Sequence, residues 1–505
     1  MTQMSNVPGI VYLVGAGPGD PGMITLRAVE CLRQADAVLY DYLVNPDILE
    51  HAPRQAELIC LGRHGEGRIW SQAEINERLI AAAGAGQTIV RLKGGDPAIF
   101  ARGAEEMEAL AGAGIPFEIV PGITAALAAS SSAGIPVTHR EMASAVALVT
   151  GHEEAGKTES EIDYAALAQF PGTLVVYMGV TTAPVWTAQL MAAGKASDTP
   201  VAVIRRCSWP DQTVFRCQLG ELADRLRTPE KIRPPIIVMI GPVTQLPSAV
   251  SWFERRPLFG KRILVTRPHE QSHELRQRLA ALGAEVAIHP AIRITPPDDW
   301  ENVDREIRRL SEFDWIVFSS GNGVRFFLQR LFELGHDLRL LGNARLASIG
   351  PSTDAELRRY HLQSDLVPDQ YRAESLAEAL CENARGKRVL LLRASRGREI
   401  LAERLRQAGC ELTQAVVYEN RDVGHPHEQI KASLEAGEFD WVTVTSSAIA
   451  RSLVSMFGAD LQKTSLVSLS PVTSTTLREL GLEPAAEASE YTLAGLVQAI
   501  MSASD

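Results

Sequence analysis

Short apolar runs alternate with amphipathic stretches of helical period through the first 245 residues. This alternation is typical of a layered α/β fold, in which helices cover the faces of a sheet. We predict strands at residues 10–14, 37–40, 57–61, 88–92, 117–120, 145–149 and 236–240.

The pattern changes after residue 245. Residues 246–260 show neither the helical pattern nor an apolar run typical of a strand. A new apolar run follows them at 262–266. A length of 505 residues also makes two to four domains the starting expectation. We predict one domain at 8–245, a linker at 246–260 and further α/β structure at 261–505.

The second half contains an internal repeat. Residues 263–267 recur at 389–393 and residues 313–320 recur at 439–446, both with an offset of 126, while 349–353 recur at 469–473 with an offset of 120. Each copy reads as strand, polar turn and helix. The repeat predicts two similar α/β lobes that face one cleft, which is a usual place for a ligand.

Composition and charge narrow the classes of function. The net charge of −11 argues against nucleic acid as a partner, because phosphate binding normally needs a positive surface. An anionic ligand would need local clusters such as Arg91 with Lys93, or Arg393 with Arg396 and Arg398, although each cluster alone is more often a solvated face. The six cysteines lack CxxC spacing, so we expect reduced thiols and no metal. No basic region precedes an apolar run at the N-terminus, and no segment has the length of a membrane span, so we expect a cytoplasmic protein without a membrane partner.

A glycine-rich loop, Gly-Ala-Gly-Pro-Gly-Asp-Pro-Gly at 15–22, follows the first predicted strand. A dinucleotide-binding loop of the Gly-x-Gly-x-x-Gly type would need glycine at position 20, where this chain has Asp20. A nicotinamide enzyme is therefore the weaker alternative. By itself, the loop is as often a simple turn as a binding site.

Other unusual residues follow the next predicted strands. Asp41, Arg63, the Gly-Gly-Asp-Pro run at 94–97 and the Pro-Gly-Ile-Thr run at 121–124 each come where a strand ends. Ligands of open α/β sheets bind beyond the carboxyl ends of strands, so these loops predict the floor of one site. Asp96 alone would more simply be a turn or helix-capping aspartate.

The runs at 14–20, 91–97, 120–126, 134–140, 149–152 and 177–179 together resemble the uroporphyrinogen-III C-methyltransferases. The resemblance covers nearly all of the first 245 residues, and methylases of later corrin intermediates are the nearest competing assignment. It implies a two-domain tetrapyrrole methylase fold, usually dimeric, that binds S-adenosylmethionine between its domains. The residues that it places at this methyl donor are Pro18, Gly94, Gly95, Asp96, Ile99, Thr124, Ala125, Met178 and Cys207.

The same resemblance implies how the substrate is handled. Asp41 would accept the proton that the methylated pyrrole carbon loses, and two rounds would give precorrin-2; its alternative role is a structural cap. Arg63 stands at the proton-donating position, where relatives typically have lysine. Because a guanidinium stays protonated, we assign Arg63 to a substrate carboxylate. His139 and Arg140 would bind acidic arms of the substrate. A capping or packing role is an equally weighted alternative for both residues.

From about residue 261 onward, the chain resembles uroporphyrinogen-III synthases, which close hydroxymethylbilane with inversion of its last ring. The matches include 262–268, 318–324, 349–351, 386–393, 416–418 and 443–447. The resemblance implies that substrate carboxylates meet the helix starts at Ser319, Ser320, Ser446, Ser447 and Thr473. Simple capping is compatible with that role. Tyr418 would assist departure of the hydroxyl, or be a core tyrosine.

These expectations describe a bifunctional enzyme, because uroporphyrinogen III is the product of the synthase and the substrate of the methylase. Its partners would be small tetrapyrroles and a second copy that joins it through the methyltransferase half. A C-terminal half that binds a tetrapyrrole without catalysis remains the alternative from another class.

Overall fold

The computed structural model describes residues 9–62, 69–152, 161–227, 232–247, 251–396 and 399–504. The chain forms two compact units, one of Met1–Lys261 with Leu279–Glu285 and the other of Arg262–Arg278 with Val286–Asp505. Within the described ranges, no helix has both the length and the apolar character needed to cross a bilayer.

The first unit begins with a parallel sheet whose strand order is β3-β2-β4-β1-β5. Its central strands β1 and β4 are buried along their whole length, as expected for a sheet covered on both faces. The strands are β1 Val11–Gly15, β2 Ala37–Tyr40, β3 Glu57–Cys60, β4 Ile89–Lys93 and β5 Phe117–Val120. The helices are α1 Leu26–Arg33, α2 Gln72–Gly84 and α3 Gly103–Gly112.

A second sheet of the same unit has the order β6-β7-β10-β8-β9 and is mostly antiparallel. Its strands are β6 Val146–Thr150, β7 Thr173–Tyr177, β8 Pro200–Arg205, β9 Thr213–Gln218 and β10 Ile236–Ile240. Its helices are α4 Ala125–Ala133, α5 Tyr164–Gln169, α6 Ala183–Ala192 and α7 Leu219–Arg227. All seven strands predicted from the apolar runs are confirmed, each within one residue of its predicted ends.

Part of the stretch predicted as a linker packs on the first unit. Phe253 and Leu258 are buried, and the Arg256 guanidinium lies 3.8 Å from the centre of the Phe253 ring. The Trp252 indole donates a hydrogen bond of 2.9 Å to the carbonyl of Ser131. Apolar side chains therefore hold this segment against α4 and its neighbours.

The second unit contains two sheets, with the orders β12-β11-β18-β19-β20 and β13-β17-β16-β14-β15. We call them lobe A and lobe B. The strands are β11 Arg262–Val265, β12 Glu285–Ile288, β13 Ile292–Thr295, β14 Trp315–Phe318, β15 Arg345–Ser348, β16 Arg388–Ala394, β17 Glu411–Asp422, β18 Trp441–Val444, β19 Ser465–Ser468 and β20 Ala486–Glu487.

Helices pack on both lobes through the apolar clusters around Phe318 and Leu391 in lobe B and Val442 in lobe A. They are α8 His269–Ala281, α9 Glu301–Arg308, α10 Gly321–Glu333, α11 Pro351–Arg359, α12 Ala373–Asn383, α13 Ile400–Gln407, α14 Glu428–Glu435, α15 Ser447–Phe457, α16 Pro471–Glu479 and α17 Leu493–Ser504.

The two copies of the internal repeat exchange strands. In lobe A, β11 of the first copy pairs in parallel with β18 of the second copy. In lobe B, β16 of the second copy pairs in parallel with β14 of the first. The long strand β17 pairs with β16 along its first part and with β13 along its last part. Each lobe is therefore assembled from halves of both copies, which the offsets alone did not reveal.

Candidate functional site

Three loops of the first sheet meet at the carboxyl ends of β1, β4 and β5. Gly17 and Gly95 exchange two backbone hydrogen bonds, of 2.9 and 3.2 Å. A Cβ on Gly15 would lie 2.6 Å from the Cα of Gly122, and a Cβ on Gly122 would lie 2.3 Å from the carbonyl oxygen of Gly95. Only glycine permits this backbone packing, so the glycines bring the predicted loops together.

Asp96 fastens two of these loops to each other. One carboxylate oxygen accepts from the backbone N–H of Ala98 at 2.8 Å, and the other accepts from Gly122 N–H at 3.0 Å. Asp96 thus has the turn role considered for it, and it also fixes the loop after β4 against the loop after β5.

The loops of the first sheet also contact the second sheet. The Thr124 hydroxyl lies 2.7 Å from the phenol oxygen of Tyr177, which also accepts from Ala126 N–H at 2.9 Å. The Trp209 indole donates to the carbonyl of Pro18 at 3.2 Å. Burial raises the pKa of Tyr177, which favours its neutral form. Tyr177 and Trp209 are contacts that the motif comparison did not identify.

The other residues expected at the methyl donor lie around this junction. Ile99 packs on the apolar cluster of the second sheet, and Met178 is half exposed with φ of +53°. The Cys207 sulfur lies 3.8 Å from the carbonyl of Ala125, and burial raises the pKa of this thiol to about 12. Gly94, which follows β4, has Leu43 as its neighbour.

Asp41, at the end of β2, sits above a buried charge network. Its carboxylate pairs with Arg91 at 2.6 Å, and Arg91 also donates to Glu106 at 3.0 Å. Lys93 donates to both carboxylate oxygens of Glu106 at 2.8 Å. The residues Arg91, Lys93 and Glu106 are 3%, 1% and 0% exposed, whereas about a third of the Asp41 side chain is accessible. The expectation that Arg91 and Lys93 form a solvated face is wrong, because β4 lies inside a sheet covered by helices.

Burial lowers the pKa of Lys93, and the neighbouring Arg91 lowers it further, while Glu106 opposes both effects. The sequence signal for this network was the spacing of the two cations. Residues two apart in a strand share a face, so Arg91 and Lys93 both point to one covering layer and require a carboxylate there. Helix α3 supplies that carboxylate in Glu106.

Of three further predicted residues, His139 and Arg140 lie elsewhere in the first unit. Arg63 falls outside the described residues. The Nδ1 atom of His139 accepts from Glu141 N–H at 3.2 Å, which is a local turn contact. Arg140 beside it is exposed. The turn contact gives His139 a structural role of the kind considered for it.

The second unit contains a cleft of about 1130 Å³ to which both lobes contribute. Among the predicted residues, lobe B contributes Ser319 and Tyr418, and lobe A contributes Ser446, Ser447 and Thr473. The predicted cleft between two lobes is therefore present, and residues from the ends of β14 and β18 face it.

Hydroxyl groups of the predicted helix starts are engaged in local hydrogen bonds, and Ser320 is the one of these residues that does not line the cleft. The Ser320 hydroxyl accepts from Gly323 N–H at 3.1 Å, and the Ser446 hydroxyl accepts from Ile449 N–H at 3.3 Å, so both serines cap their helices. The Ser319 hydroxyl donates to Leu392 carbonyl at 2.9 Å. Capping holds these helix starts in place, and each serine hydroxyl satisfies one N–H group of the first turn.

Tyr418 belongs both to the cleft wall and to the core of lobe B. It is 6% exposed, and its ring stacks on Phe326 with 5.9 Å between ring centres. Its hydroxyl lies 2.9 Å from the Ser320 hydroxyl. Burial raises its pKa, so the phenol keeps its proton at neutral pH.

Three arginines, Arg372 and two members of the predicted cluster, line the cleft beside the carboxylates of Asp369 and Glu490. Arg393 donates to Gln414 at 2.8 Å and is paired with Glu399, while Arg396 pairs with Asp422 at 2.8 Å. Both line the cleft. The third member of the sequence cluster, Arg398, is outside the described residues.

Comparisons with known families match both halves of the chain. Residues 10–223 match the model of the tetrapyrrole (corrin/porphyrin) methylases, and residues 273–498 match that of uroporphyrinogen-III synthase. The porphyrin biosynthesis protein HemD of Ruminiclostridium josui is 36% identical over 465 residues, which are 92% of this chain and 91% of that relative. The chain belongs to both families.

This fusion of a tetrapyrrole methylase with a uroporphyrinogen-III synthase has other similar proteins. The uroporphyrinogen-III C-methyltransferase of Bacillus subtilis (strain 168) is 38% identical over 365 residues, covering 72% of this chain and 74% of that one. A crystal structure of the Thermus thermophilus uroporphyrin-III C-methyltransferase with S-adenosyl homocysteine is 39% identical and covers 47% of this chain and 100% of that chain, with a TM-score of 0.41.

The methylase–synthase fusion is thus a bifunctional enzyme of tetrapyrrole biosynthesis. Its first unit is an S-adenosylmethionine-dependent methyltransferase, and its second unit is a uroporphyrinogen-III synthase. The glycine junction, the Asp41 network and the cleft are its candidate sites.

Proposed function

We propose that the second unit closes hydroxymethylbilane to uroporphyrinogen III and that the first unit methylates this product twice to give precorrin-2. The observation that carries the methylation half is the meeting of Gly17, Gly95, Asp96 and Thr124 at one sheet edge, with Asp41 after β2, the strand next to β4. Precorrin-2 lies on the branch that leads to sirohaem and cobalamin. Methylation of a later corrin precursor is the competing proposal.

The methyl donor would lie against the backbone at the glycine junction. S-adenosylmethionine supplies a sulfonium methyl group when it is bound. Glycine lets main-chain groups approach a ligand closely, and this supports contacts from Pro18, Gly94, Gly95 and Ala125. The side chains proposed to complete the site are Asp96, Ile99, Thr124, Met178 and Cys207.

Asp41 is proposed as the proton acceptor. A methylated pyrrole carbon must lose its proton, and a carboxylate at a strand end, partly accessible and held by Arg91, is suited to take it. Arg63, His139 and Arg140 are proposed to bind acidic arms of the macrocycle, since a guanidinium matches the geometry of a carboxylate.

The synthase unit would act mainly by holding a flexible substrate in the shape that closes. Orientation of reacting ends contributes a large part of catalysis when a chain must cyclise. Helix starts at Ser319, Ser320, Ser446, Ser447 and Thr473 are proposed to bind carboxylates through their backbone N–H groups. Tyr418 would donate a hydrogen bond to the departing hydroxyl, which its raised pKa permits because the phenol stays protonated.

A homodimer through the methyltransferase unit is a further part of the proposal. Three apolar side chains near the β5 edge are exposed to 37–49%, namely Ile119, Ile123 and Leu127. Exposed apolar surface of this kind marks protein contacts when it is contiguous. Sedimentation of the purified chain tests the point, with a monomer at micromolar concentration as the contrary result. The cytoplasmic location stays a prediction.

The whole proposal is tested with purified protein, hydroxymethylbilane and S-adenosylmethionine, followed by mass analysis and isomer separation. We expect the inverted ring isomer carrying two added methyl groups. An unmethylated inverted isomer would contradict the N-terminal half of the proposal, and the non-inverted isomer at the spontaneous rate would contradict the C-terminal half in favour of a binding module. A thermal-shift comparison of S-adenosylhomocysteine with NAD separates the methylase from a nicotinamide enzyme.

A further inference from the structure

Two tyrosines occupy equivalent positions in the two lobes of the synthase unit. Tyr371 precedes α12 by two residues, and Tyr491 precedes α17 by two residues. Their offset of 120 equals that of the repeated segments at 349–353 and 469–473. The neighbouring sheet contacts repeat with the same offset, since Ala347 pairs with Leu366 and Val467 pairs with Ala486. The two tyrosines are therefore related by the repeat.

Both side chains line the cleft, and both are exposed. Tyr371 is 63% exposed and Tyr491 is 61% exposed, whereas Tyr418 in the same cleft is 6% exposed. The Cβ of Tyr371 is packed, because a Cβ added to Gly350 would lie 3.1 Å from it. The start of the Tyr371 side chain is thus held beside Gly350, while much of the residue stays accessible at the cleft.

Exposed aromatic rings in a cleft are suited to flat, π-rich ligand groups. Covering the apolar faces of an aromatic ring is favourable in free energy. A second ring in offset or edge-on contact adds to this stabilisation. The serines and arginines of the cleft are polar and match the acidic arms of a tetrapyrrole, not the faces of its pyrrole rings. The two tyrosines are the side chains of the described cleft that supply such faces from both lobes.

We propose that Tyr371 and Tyr491 bind pyrrole rings of the linear tetrapyrrole, one from each lobe, and so select the folded shape that closes with inversion. This inference rests on the proposed function of the synthase unit. A linear chain of four rings closes without inversion when it is free in solution. Two ring contacts from opposite lobes restrict the rotations between rings, and the isomer formed then depends on both tyrosines.

The test uses the full-length chain with hydroxymethylbilane and the single variants Tyr371→Ala and Tyr491→Ala, together with the double variant. Alanine keeps the Cβ that packs at Gly350. We expect KM to rise about 2- to 12-fold for each single variant, the equivalent of one aromatic contact. The fraction of non-inverted isomer should rise in each and rise further in the double variant. Tyr371→Phe and Tyr491→Phe keep the ring and should retain the wild-type KM and isomer ratio.

Phe332→Ala is the matched control, because Phe332 is 40% exposed in the same unit and does not line the cleft. It should leave KM and the isomer ratio unchanged. If the wild type closes the ring with inversion and the alanine variants behave like it, the tyrosine proposal is overturned. Phenylalanine variants as impaired as the alanine variants would also overturn it, since the hydroxyl would then be responsible. A wild type without inverted product would contradict the proposed function itself.

Discussion

Replacing Glu106 with glutamine removes the one carboxylate that both Arg91 and Lys93 contact within the described part of the chain. Glu106 is fully buried and accepts hydrogen bonds from Lys93 at 2.8 Å, from Arg91 at 3.0 Å and from Gln72 at 3.2 Å. Breaking a buried ion pair on one side costs about 3–5 kcal/mol, because the remaining charge is left uncompensated. We expect a loss of this size at pH 7.

The contribution of Lys93 to this loss of stability follows from its titration. A buried ammonium without its partner can release its proton, and from an ordinary pKa of 10.5 this costs about 5 kcal/mol at pH 7 and about 2 kcal/mol at pH 9, at 1.36 kcal/mol per pH unit. The pKa of Lys93 is already lowered by burial in the wild type. The unfolded variant therefore binds more protons than the folded one, and its stability rises with pH up to about 10.5.

Hydrogen exchange at the amides of β4, followed in increasing urea at pH 7 and pH 9, measures the free energy of unfolding of the first unit separately from the second. Glu105→Gln is the matched control on the same helix, because Glu105 is exposed and pairs with Arg102 at 2.7 Å. An exposed pair of this kind contributes about 0.2–1 kcal/mol. The reasoning would be refuted if Glu106→Gln lowered the free energy of unfolding by less than about 1 kcal/mol at pH 7, or if this loss grew from pH 7 to pH 9.

Three other changes test the proposed sites. Asp41→Asn should lower the rate of methyl transfer by about 10²- to 10⁴-fold, as expected for loss of a general base. Its affinity for S-adenosylhomocysteine, measured by calorimetry, should stay unchanged. A variant with wild-type activity would exclude Asp41 as the proton acceptor. Gly122→Ala forces a Cβ to within 2.3 Å of the Gly95 carbonyl, so we expect about 1–3 kcal/mol of destabilisation and weaker S-adenosylhomocysteine binding in the same titration. Wild-type affinity in Gly122→Ala would show that the junction is not the donor site. Tyr418→Phe removes the hydrogen bond to Ser320, which should cost about 1 kcal/mol of stability. The kcat for ring closure should fall while the isomer ratio stays the same. An unchanged kcat would show that Tyr418 is only a core residue.

The sequence predicted the strands of the first unit well because each strand is a local feature. The apolar runs and their bounding turns determine it without distant contacts. The convergence of the Gly15 and Gly95 loops was also predictable, since the carboxyl ends of parallel strands share one edge of a sheet. Which loop touches which required the structure, because that depends on strand order.

The spacing of Arg91 and Lys93 indicates that they share a face, but the local pattern does not show that this face is buried. Charged residues are seldom fully buried without a partner, so Arg91 and Lys93 read as exposed until Glu106 is seen opposite them. That partner lies on a helix 13 positions after Lys93 and comes into reach only through helix packing. The second role of Tyr418, as a core ring bound to Ser320, likewise joins residues 98 positions apart.

The exchange of strands between the repeat copies has a consequence for synthesis of the chain. The backbone N–H of Arg262 donates to the carboxylate of Asp440, 178 positions later, so lobe A stays incomplete until nearly all of the polypeptide has left the ribosome. Neither copy of the repeat is a self-sufficient module, and a chain truncated between them would leave β11 and β14 both without a neighbour from the other copy. Pairings this distant are slow to form. The newly made synthase unit therefore needs protection from aggregation for longer than the methyltransferase unit does.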